Sequence, residues 1–451
     1  MMYSSVSEAS RALRWGLLVA APALAVWVGG DALATPRSAS PFQNLELFAQ
    51  ALVQVEGQYV DPVDQDALVQ GAIRGMMQSL DPHSTFLDPQ EYRLMLADME
   101  GRFAGVGIEV SVRDGWLTVL SVFEGGPAER AGLRPGDRFL HVEGRRARDM
   151  RIEDAVRLIR GQPGTAVRVG IRREGAKDGI EVSLTRAVID VPAVRSESLP
   201  GGVLYLRIGG FSEKTAGELR LAIDRAMRRR GEGSALAGLL IDLRDNGGGL
   251  LDQAIRVSDE FISEGVLVSA RGRDGRLLNE ARAHREGTRP NFPIVVLVNQ
   301  FSASAAEIVA GALRDHGRAL LVGTRTWGKG SVQQLYPLPD GSAVKLTIAR
   351  YYTPSGRSIQ AHGIEPDRVV EAPPKGEGSE AGSEAESFRE ERLSRHLAAG
   401  ATQRASVRRP VMKVSGATLN PERASSLPEK LRDDVQALAA YAELLQRIAA
   451  R

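Results

Sequence analysis

Apolar runs alternate with helical segments through residues 189–368 of the chain. We interpret three runs rich in Val, Leu and Ile as strands, at residues 203–208, 237–243 and 294–298. The segments 213–230 and 252–262 have the spacing of helices. Strands that alternate with helices predict an α/β layered core.

The chain on either side of this core has other patterns. Residues before 100 are predicted to be helical, with breaks at Asp-Pro turns, and the last 24 residues predict an amphipathic helix that packs on the core or mediates assembly. The predicted fold class is α/β and multi-domain. Its segments are a signal peptide (1–34), a helical N-terminal region (35–100), a β-rich domain (101–188), the α/β layered core (189–368), a disordered linker (369–390) and a helical tail (391–451).

The first 34 residues have the pattern of an export signal. Arg11 and Arg14 precede an apolar stretch at 17–28, and Ala32-Leu33-Ala34 is a small-x-small cleavage site. An uncleaved anchor helix at 15–33 is the alternative, although the apolar stretch is short for a membrane span. Both interpretations predict an exported chain, in the periplasm of a two-membrane bacterium, either soluble or attached to the inner membrane.

Composition narrows the chemistry. The net charge is +2, so no nucleic-acid partner is expected. The chain has no cysteine, which excludes thiol catalysis, disulfides and cysteine-ligated zinc. The motifs imply no metal ion and no cofactor.

The stretch 294–334 carries the candidate chemistry. Its strand-like run leads through a short turn to Ser304, which lies at the N-terminus of a predicted helix rich in small residues. Lys329, flanked by two glycines, follows 25 residues later. A serine hydroxyl needs a base to act as a nucleophile. A buried lysine with a lowered pKa can be that base.

Simpler roles remain open for these and neighbouring residues. Serine is a preferred N-cap residue, so Ser304 has a structural interpretation as well. Ser302 is interpreted as a turn or cap residue. Lys345 lies in an alternating strand pattern and is interpreted as solvated.

A histidine-based triad is an alternative to a lysine base. Of the six histidines, His316 lies near the serine in sequence, beside Asp315. On a continuous helix, Asp315 is about 16 Å from Ser304 along the axis, so neither residue reaches it. His83 follows a proline turn and is interpreted as a capping residue.

Three motifs resemble those of the carboxyl-terminal processing (tail-specific) peptidases. They are Ser-Ala-Ser-Ala-Ala-Glu at 302–307, Arg-Asp-x-Gly-Arg-Ala at 314–319 and Gly-Lys-Gly-Ser-Val-Gln-Gln at 328–334. The resemblance extends over about residues 45–370. It implies that Ser304 is the nucleophile, Lys329 the base and Gln333 the residue that orients the lysine.

The glycine run 247–249, which follows the strand-like run 237–243, is the next candidate for a functional site. Consecutive glycines leave backbone N–H groups bare, as in a phosphate loop or an oxyanion hole, although a tight turn is the simpler interpretation. The phosphate role is weak because the lysine and hydroxyl of a P-loop are missing. The family resemblance implies an oxyanion hole formed by the N–H groups of Gly248 and Ala305, with the choice of glycine uncertain by one position.

Residues 101–188 resemble a PDZ domain. Gly105-Val106-Gly107-Ile108 is similar to a carboxylate-binding loop that leads into an edge strand, and the signature 126–137 supports the likeness. A loop of this kind holds a peptide C-terminus through Val106, Gly107 and Ile108, and an extended peptide adds to the strand edge. A scaffold role without peptide binding is the alternative.

The sequence therefore predicts an exported serine endopeptidase that captures protein or peptide substrates by their C-termini. An activating adaptor or lipoprotein and a homo-oligomer are further expected partners. Two other functions stay open: a non-catalytic PDZ adaptor, and a PDZ protease with a histidine triad.

Overall fold

The computed structural model describes residues 41–113, 115–123, 125–150, 152–176, 178–229, 236–371, 389–400, 412–413 and 427–451. The predicted signal peptide lies outside the described residues. The chain divides into a first unit that ends at Gly71 and a second that begins at Ala72. Among the described residues, no helix is long and apolar enough to cross a membrane.

Helices and strands of the N-terminal and β-rich parts follow in chain order. They are α1 (Pro41–Gln58), α2 (Gln65–Gln78), β1 (Thr85–Leu87), α3 (Pro89–Met99), β2 (Arg102–Gly105), β3 (Ile108–Arg113), β4 (Trp116–Val122), α4 (Pro127–Arg130), β5 (Arg138–Val142), β6 (Arg145–Arg146), α5 (Ile152–Ile159), β7 (Ala166–Arg172), β8 (Ile180–Thr185) and β9 (Ala187–Asp190).

The remaining elements form the core and the tail. They are β10 (Val194–Leu199), β11 (Val203–Ile208), α6 (Thr215–Arg229), β12 (Gly238–Asp242), α7 (Leu251–Asp259), β13 (Val266–Arg271), β14 (Leu277–Arg282), β15 (Ile294–Val298), α8 (Ala305–Asp315), β16 (Leu320–Gly323), β17 (Ser331–Pro337), β18 (Ala343–Tyr352), β19 (Arg368–Val369), β20 (Met412–Lys413), α9 (Glu429–Arg432) and α10 (Val435–Ala449).

A seven-stranded sheet forms the centre of the core, in the order β10-β11-β12-β15-β16-β19-β20. Only the β10–β11 pair is antiparallel within this sheet. Helices α6, α7 and α8 cover one face, where Ile241 and Val296 point, and α10 covers the other, where Leu240 and Val295 point. Burial on both faces explains the nearly continuous apolar runs in the sequence, and the layered core is as predicted.

Adjacent parallel strands bring three loops to one edge of this sheet. β12 and β15 are paired, and β15 pairs in turn with β16. The glycine run follows β12, Ser304 follows β15 and the segment with Lys329 follows β16. Because parallel strands end at the same edge, these loops converge there, as in other open α/β sheets.

Besides a two-stranded pair of β2 and β9, two further sheets of five and six strands lie outside the central sheet. One has the order β1-β18-β13-β14, with β17 paired to β18, and it carries the strand that follows Lys329. The other has the order β3-β4-β5-β7-β8, with β6 on β5, and encloses its own apolar core around Phe139 and Val169. In this second sheet β3 lies at one end.

The C-terminal helix α10 is part of the core rather than a free assembly element. Leu444 is fully buried against the sheet, and a Cβ atom on Gly238 of β12 would lie 3.0 Å from it. The helix is also tied down by Arg244, whose guanidinium binds the Asp434 carboxylate at 2.7 and 2.9 Å.

The linker predicted at 369–390 is too long at both ends. Val369 is the last residue of β19 and pairs with Gly323. Val370 is buried in the apolar cluster beneath α10, and Glu390 is fully buried. The sequence signal came from the Gly/Ser/Glu composition between these points, most of which lies outside the described residues.

We predict that Leu444→Ala lowers the free energy of unfolding by about 2–5 kcal/mol, because it leaves a cavity beneath the sheet. Denaturant unfolding followed by tryptophan fluorescence measures the change. Gln446→Ala, on the exposed side of the same helix, is the matched control and should have little effect. Equal stability of the two variants would contradict the packing described here.

Candidate active site

Ser304 lies where the loop after β15 enters α8. Its φ is 55°, a backbone conformation that residues other than glycine rarely adopt. Such strained positions cluster at functional sites. The neighbouring Ser302 is buried, and its hydroxyl donates to the carbonyl oxygen of Leu243 over 2.8 Å. Ser302 is therefore a turn residue, as predicted, and Ser304 is the serine at the sheet edge.

The glycine loop after β12 packs directly on the serine. A Cβ atom on Gly248 would lie 2.7 Å from Cβ of Ser304 and 3.0 Å from the nitrogen of Ala305. Gly248 has a φ of 100°, so glycine is required there for conformational reasons as well as for space. The N–H of Ala305 has no hydrogen-bond acceptor among the described residues.

The oxyanion role expected for Gly248 does not match its hydrogen bonding in this structure. Its N–H donates to the side-chain oxygen of Asn246 over 2.8 Å. Asn246 is fully buried and also donates to the carbonyl oxygen of Ile208. This bond is local, since an asparagine side chain commonly accepts the backbone N–H two residues further on. Within the described chain, the N–H of the next residue, Gly249, has no acceptor.

Lys329 lies in the loop between β16 and β17, and its flanking glycines allow that loop to pack closely. A Cβ atom on Gly330 would lie 2.2 Å from the nitrogen of Gln360, and Gly328 has a φ of 96°. Lys329 is half-buried. Burial lowers its pKa, as does the positive charge of Lys345, while Glu390, Glu307 and Asp81 raise it. The net result is a lowered pKa, which suits a base.

Lys345 is less exposed than the alternating pattern suggested. It is half-buried in β18, and burial lowers its pKa, opposed by the charge of Asp81. The interpretation of Lys345 as a solvated side chain was wrong: β18 is an inner strand here, paired to β1 and to β17, and little of the side chain reaches solvent. The lysine therefore contributes a positive charge to the surroundings of Lys329.

The carboxylate of Glu307 holds the serine and lysine segments together. One of its oxygens, Oε2, accepts hydrogen bonds from the N–H groups of Ser304 and Lys329, each over 2.9 Å. The two backbone nitrogens therefore lie within about 6 Å of each other. The other oxygen, Oε1, accepts from the N–H of Gly328 over 2.8 Å and from the Thr326 hydroxyl.

Glu307 is fully buried, and its burial raises its pKa to about 7 despite these four donors. Glu307 was not among the predicted site residues. The available signal was its position three residues after Ser304, where a glutamate often accepts from the backbone at a helix start. Its bonds to the lysine loop had no local signal, because that loop is 19 or more residues away in sequence.

Gln333 lies in β17, on the strand that follows Lys329. Its amide nitrogen donates to the Ser331 hydroxyl over 2.8 Å and to the Thr347 hydroxyl over 3.3 Å. No hydrogen bond joins it to Lys329 among the described contacts. Its side-chain oxygen has no donor in that set, so this oxygen is the atom with which it would orient the lysine.

His316 and His83 bond to groups other than Ser304. His316 caps the end of α8 and its ring bonds to the carbonyl oxygen of Val266 over 2.7 Å, while the Asp315 carboxylate accepts the N–H of Ser355. The His83 ring bonds to Glu390, and the capping of its turn is done by Asp81, so the prediction that His83 is a capping residue was wrong. Among the described residues, no cluster of His, Asp and Glu could hold a metal ion.

The predicted peptide-binding loop lies at the start of β3. Gly107 has a φ of 78°, Val106 is buried, and Ile108 begins the strand. The N–H groups of Val106 and Gly107 have no acceptor among the described residues. One edge of β3 is paired to β4, and α5 lies beside the strand. The other edge of β3 pairs with no described strand, and the bare donors lie at its start.

We predict that Glu307→Gln lowers the free energy of unfolding by about 1–3 kcal/mol, because an amide nitrogen would replace one of two acceptor oxygens and face donors. Thermal and denaturant unfolding measure the loss. Glu264→Gln, an exposed carboxylate that pairs with Arg285 at the surface, is the control. Unchanged stability of Glu307→Gln would contradict the bridging role.

Three family models match the chain. They are peptidase family S41 at residues 202–370, the PDZ domain at 118–173 and the activating protease CtpB N-terminal domain at 31–91. The first covers five of the seven strands of the central sheet (β11, β12, β15, β16 and β19) and contains Ser304 and Lys329.

Similar proteins agree with these matches. The chain is 40% identical over 346 residues to the carboxy-terminal-processing protease of Bartonella bacilliformis, a match that covers 77% of this chain and 79% of that protein. It is 38% identical over 360 residues to the carboxy-terminal processing protease CtpA of Bacillus subtilis, with 79% and 75% covered. The solved photosystem II D1 C-terminal processing protease is 30% identical, with 78% of this chain and 99% of that chain covered and a TM-score of 0.49.

A serine at a strained helix entrance, a half-buried lysine beside it and a PDZ domain thus occur together in a chain with these relatives. The chain belongs to peptidase family S41, as a serine-type peptidase of the carboxy-terminal processing proteases.

Proposed function

We propose that this protein is an exported endopeptidase that cleaves proteins with a dyad of Ser304 and Lys329, through an acyl-enzyme. The observation that carries the proposal is the shared carboxylate of Glu307, which accepts the backbone N–H groups of both residues. Two segments from different strands are thereby held at one sheet edge. The lowered pKa of Lys329 supports its role as the base.

The reaction follows from the groups at that edge. Neutral Lys329 removes the proton from the Ser304 hydroxyl, and the oxygen attacks the carbonyl carbon of the scissile bond. The tetrahedral intermediate collapses, the C–N bond breaks, and the lysine ammonium donates its proton to the leaving amine. Lys329 then removes a proton from a water molecule, which attacks the ester carbon, and the released serine oxygen takes the proton back.

The oxyanion of both intermediates needs donors that are already in place. The N–H of Ala305 is the first, because it lies at the start of α8 and has no acceptor in the described chain. A glycine of the 247–249 loop supplies the second. The N–H of Gly249 has no acceptor in the described chain and can donate as it stands, whereas Gly248 can do so only when its bond to Asn246 opens.

Substrate capture is assigned to the PDZ domain. The terminal carboxylate of a protein binds the N–H groups at Val106, Gly107 and Ile108, and the residues before it extend along β3. A protein bound in this way is held by its C-terminus in an extended conformation, as a substrate chain must be to reach the peptidase site. Free C-termini are therefore preferred over amidated ones.

Export to the periplasm, attachment to the inner membrane and an activating adaptor or lipoprotein are parts of the same proposal. The N-terminal charge and apolar pattern supports export. The match to the activating protease CtpB N-terminal domain supports a regulated enzyme. Self-association is supported by apolar side chains exposed along α1, among them Leu45, Leu47 and Val53.

We predict that Ser304→Ala and Lys329→Ala each abolish cleavage of an unfolded protein with a free C-terminus. Ser304→Ala removes the nucleophile, so it should still bind a peptide with the same C-terminus at the wild-type Kd. Gel-based cleavage assays and fluorescence anisotropy measure the two properties. The same substrate with an amidated C-terminus should be cleaved more slowly by the wild-type enzyme.

Two results would support the other functions. Cleavage that survives in Lys329→Ala would exclude the dyad and favour a histidine base. Peptide binding without cleavage by the wild-type protein, in the presence of the periplasmic extract of its source, would favour a PDZ adaptor.

We predict that Lys345→Met moves the rising limb of the pH profile of kcat/KM to higher pH. The positive charge of Lys345 disfavours the charged form of Lys329, so removing it raises the pKa of Lys329. A higher pH is then needed to deprotonate Lys329. Methionine keeps the length of the side chain. Lys214→Met, which breaks a pairing with Asp190 instead, is the control and should leave the limb in place. A limb that moves to lower pH in Lys345→Met would contradict the assignment of Lys329 as the titrating base.

A further inference from the structure

A segment beyond the matched peptidase region, residues 389–400, lies against the loop that carries Lys329. We call it the tail segment. Its backbone and side chains make hydrogen bonds along its length. These join Glu390 N–H to Trp327 O (3.3 Å), Arg325 to Glu391 (2.8 Å), Arg350 to Ala398 O (3.0 Å), Gln360 to Leu397 O (3.2 Å), Gly400 N–H to the Ser358 hydroxyl (3.2 Å) and Arg395 to Gln78 O.

Glu390 is the buried residue of this segment. It is 0% exposed, and its carboxylate is fully surrounded by polar partners. Nε2 of His83 lies 2.8 and 2.9 Å from its two oxygens, the Gln360 amide donates to Oε1 over 2.8 Å, and the indole N–H of Trp327 donates to Oε2 over 3.1 Å. Burial favours the neutral form, but the bonds from His83 and Gln360 outweigh it and hold the pKa of Glu390 below its usual range. Glu390 is therefore ionised at neutral pH.

Trp327 and Gln360 connect Glu390 to the chain before and after Lys329. Trp327 is two residues before Lys329 and bonds to the carboxylate directly. Gln360 uses its side-chain oxygen to accept the N–H of Gly330, the residue after Lys329, over 2.9 Å. One carboxylate thus reaches the loop at its entrance and, through Gln360, at its exit. Glu307 holds the backbone between these points from the opposite side.

His83 ties the same carboxylate to the turn before β1. That turn is fixed by Asp81, whose oxygens accept the Ser84 hydroxyl over 2.6 Å and the Thr347 hydroxyl over 3.0 Å. Thr347 in turn accepts a bond from Gln333. The turn and the tail segment both lie outside residues 202–370, and they meet at the lysine loop from either end of the chain.

We propose that Glu390 is a positioning residue for Lys329: held by His83, its carboxylate fixes Trp327 and Gln360, and with them the loop from which the base projects. The inference rests on the proposed Ser304–Lys329 dyad. A base must be aligned with its nucleophile to within small distances, so loosening the loop lowers kcat more than it changes substrate binding.

The charge of Glu390 provides a readout that packing alone would not change. The charged and titratable groups that act on Lys329 are Lys345, Glu390, Glu307 and Asp81. Glu390 favours the ammonium form, so its neutralisation lowers the pKa of Lys329. The rising limb of the pH profile then moves to lower pH, opposite to the shift expected from Lys345→Met.

The test compares Glu390→Gln with Glu391→Gln in the cleavage assay across pH. Glu390→Gln is expected to lower kcat by about tenfold or more, to leave KM within about twofold, and to move the limb to lower pH. Glu391 is the adjacent carboxylate, which pairs with Arg325 at 2.8 Å and is half-exposed. Glu391→Gln should have the kcat of the wild type, and the rising limb of its pH profile should lie at the same pH.

If Glu390→Gln fails to fold, a second variant still tests the inference. Trp327→Phe keeps an aromatic ring but removes the indole N–H that bonds to Glu390. It should lower kcat with the limb unmoved, because the carboxylate remains charged. Unfolding midpoints of all variants are measured alongside.

Several outcomes would overturn the inference. Wild-type kcat in Trp327→Phe, or a wild-type profile in Glu390→Gln, would show that the contact does not align the base. A fall in kcat of Glu390→Gln with an unmoved limb would reduce Glu390 to a packing residue. Lys329→Ala in the same assay separates the two proposals: activity in that variant would overturn the dyad as well, whereas an inactive Lys329→Ala with a wild-type Glu390→Gln would overturn this inference alone.

Discussion

The active site depends on one buried carboxylate. Glu307 lies one turn into α8 and accepts hydrogen bonds from the backbone of Ser304 behind it and of Gly328 and Lys329 across the sheet edge. A carboxylate can accept several donors at once, and in a buried site each unpaired donor is costly. The serine and lysine segments therefore cannot separate without exposing these groups. Ser304 and Lys329 are held in place through their backbones.

Opposing effects act on the pKa of Lys329. Burial and the charge of Lys345 favour the neutral base, whereas the carboxylates of Glu390, Glu307 and Asp81 favour the ammonium form. A lysine that is too easily protonated fails to remove the serine proton, and one that is too weak a base fails to drive the transfer. In the proposed dyad the surrounding charges set this compromise, and they come from four different segments of the chain.

Two of those segments lie outside the peptidase region proper. The turn at Asp81–Ser84 reaches β18 through Thr347, and the tail segment reaches the lysine loop through Glu390. His83 joins the two directly. Residues that precede the PDZ domain and residues that follow the core thus both pack around the Lys329 region. The structure around this lysine therefore includes chain outside the signature motifs of the peptidase region.

The sequence by itself determined the layered core, the candidates Ser304 and Lys329 and the edge strand that follows Gly107. Each has a local cause: apolar runs, a hydroxyl at a helix entrance, glycines where the backbone must pack closely. Only the tertiary structure decided that Glu307 bridges the Ser304 and Lys329 segments, that Lys345 is half-buried and that Glu390 packs against the lysine loop rather than lying in a linker. These depend on contacts between residues far apart in the chain, and burial and hydrogen bonding across such distances leave no periodic pattern in the sequence.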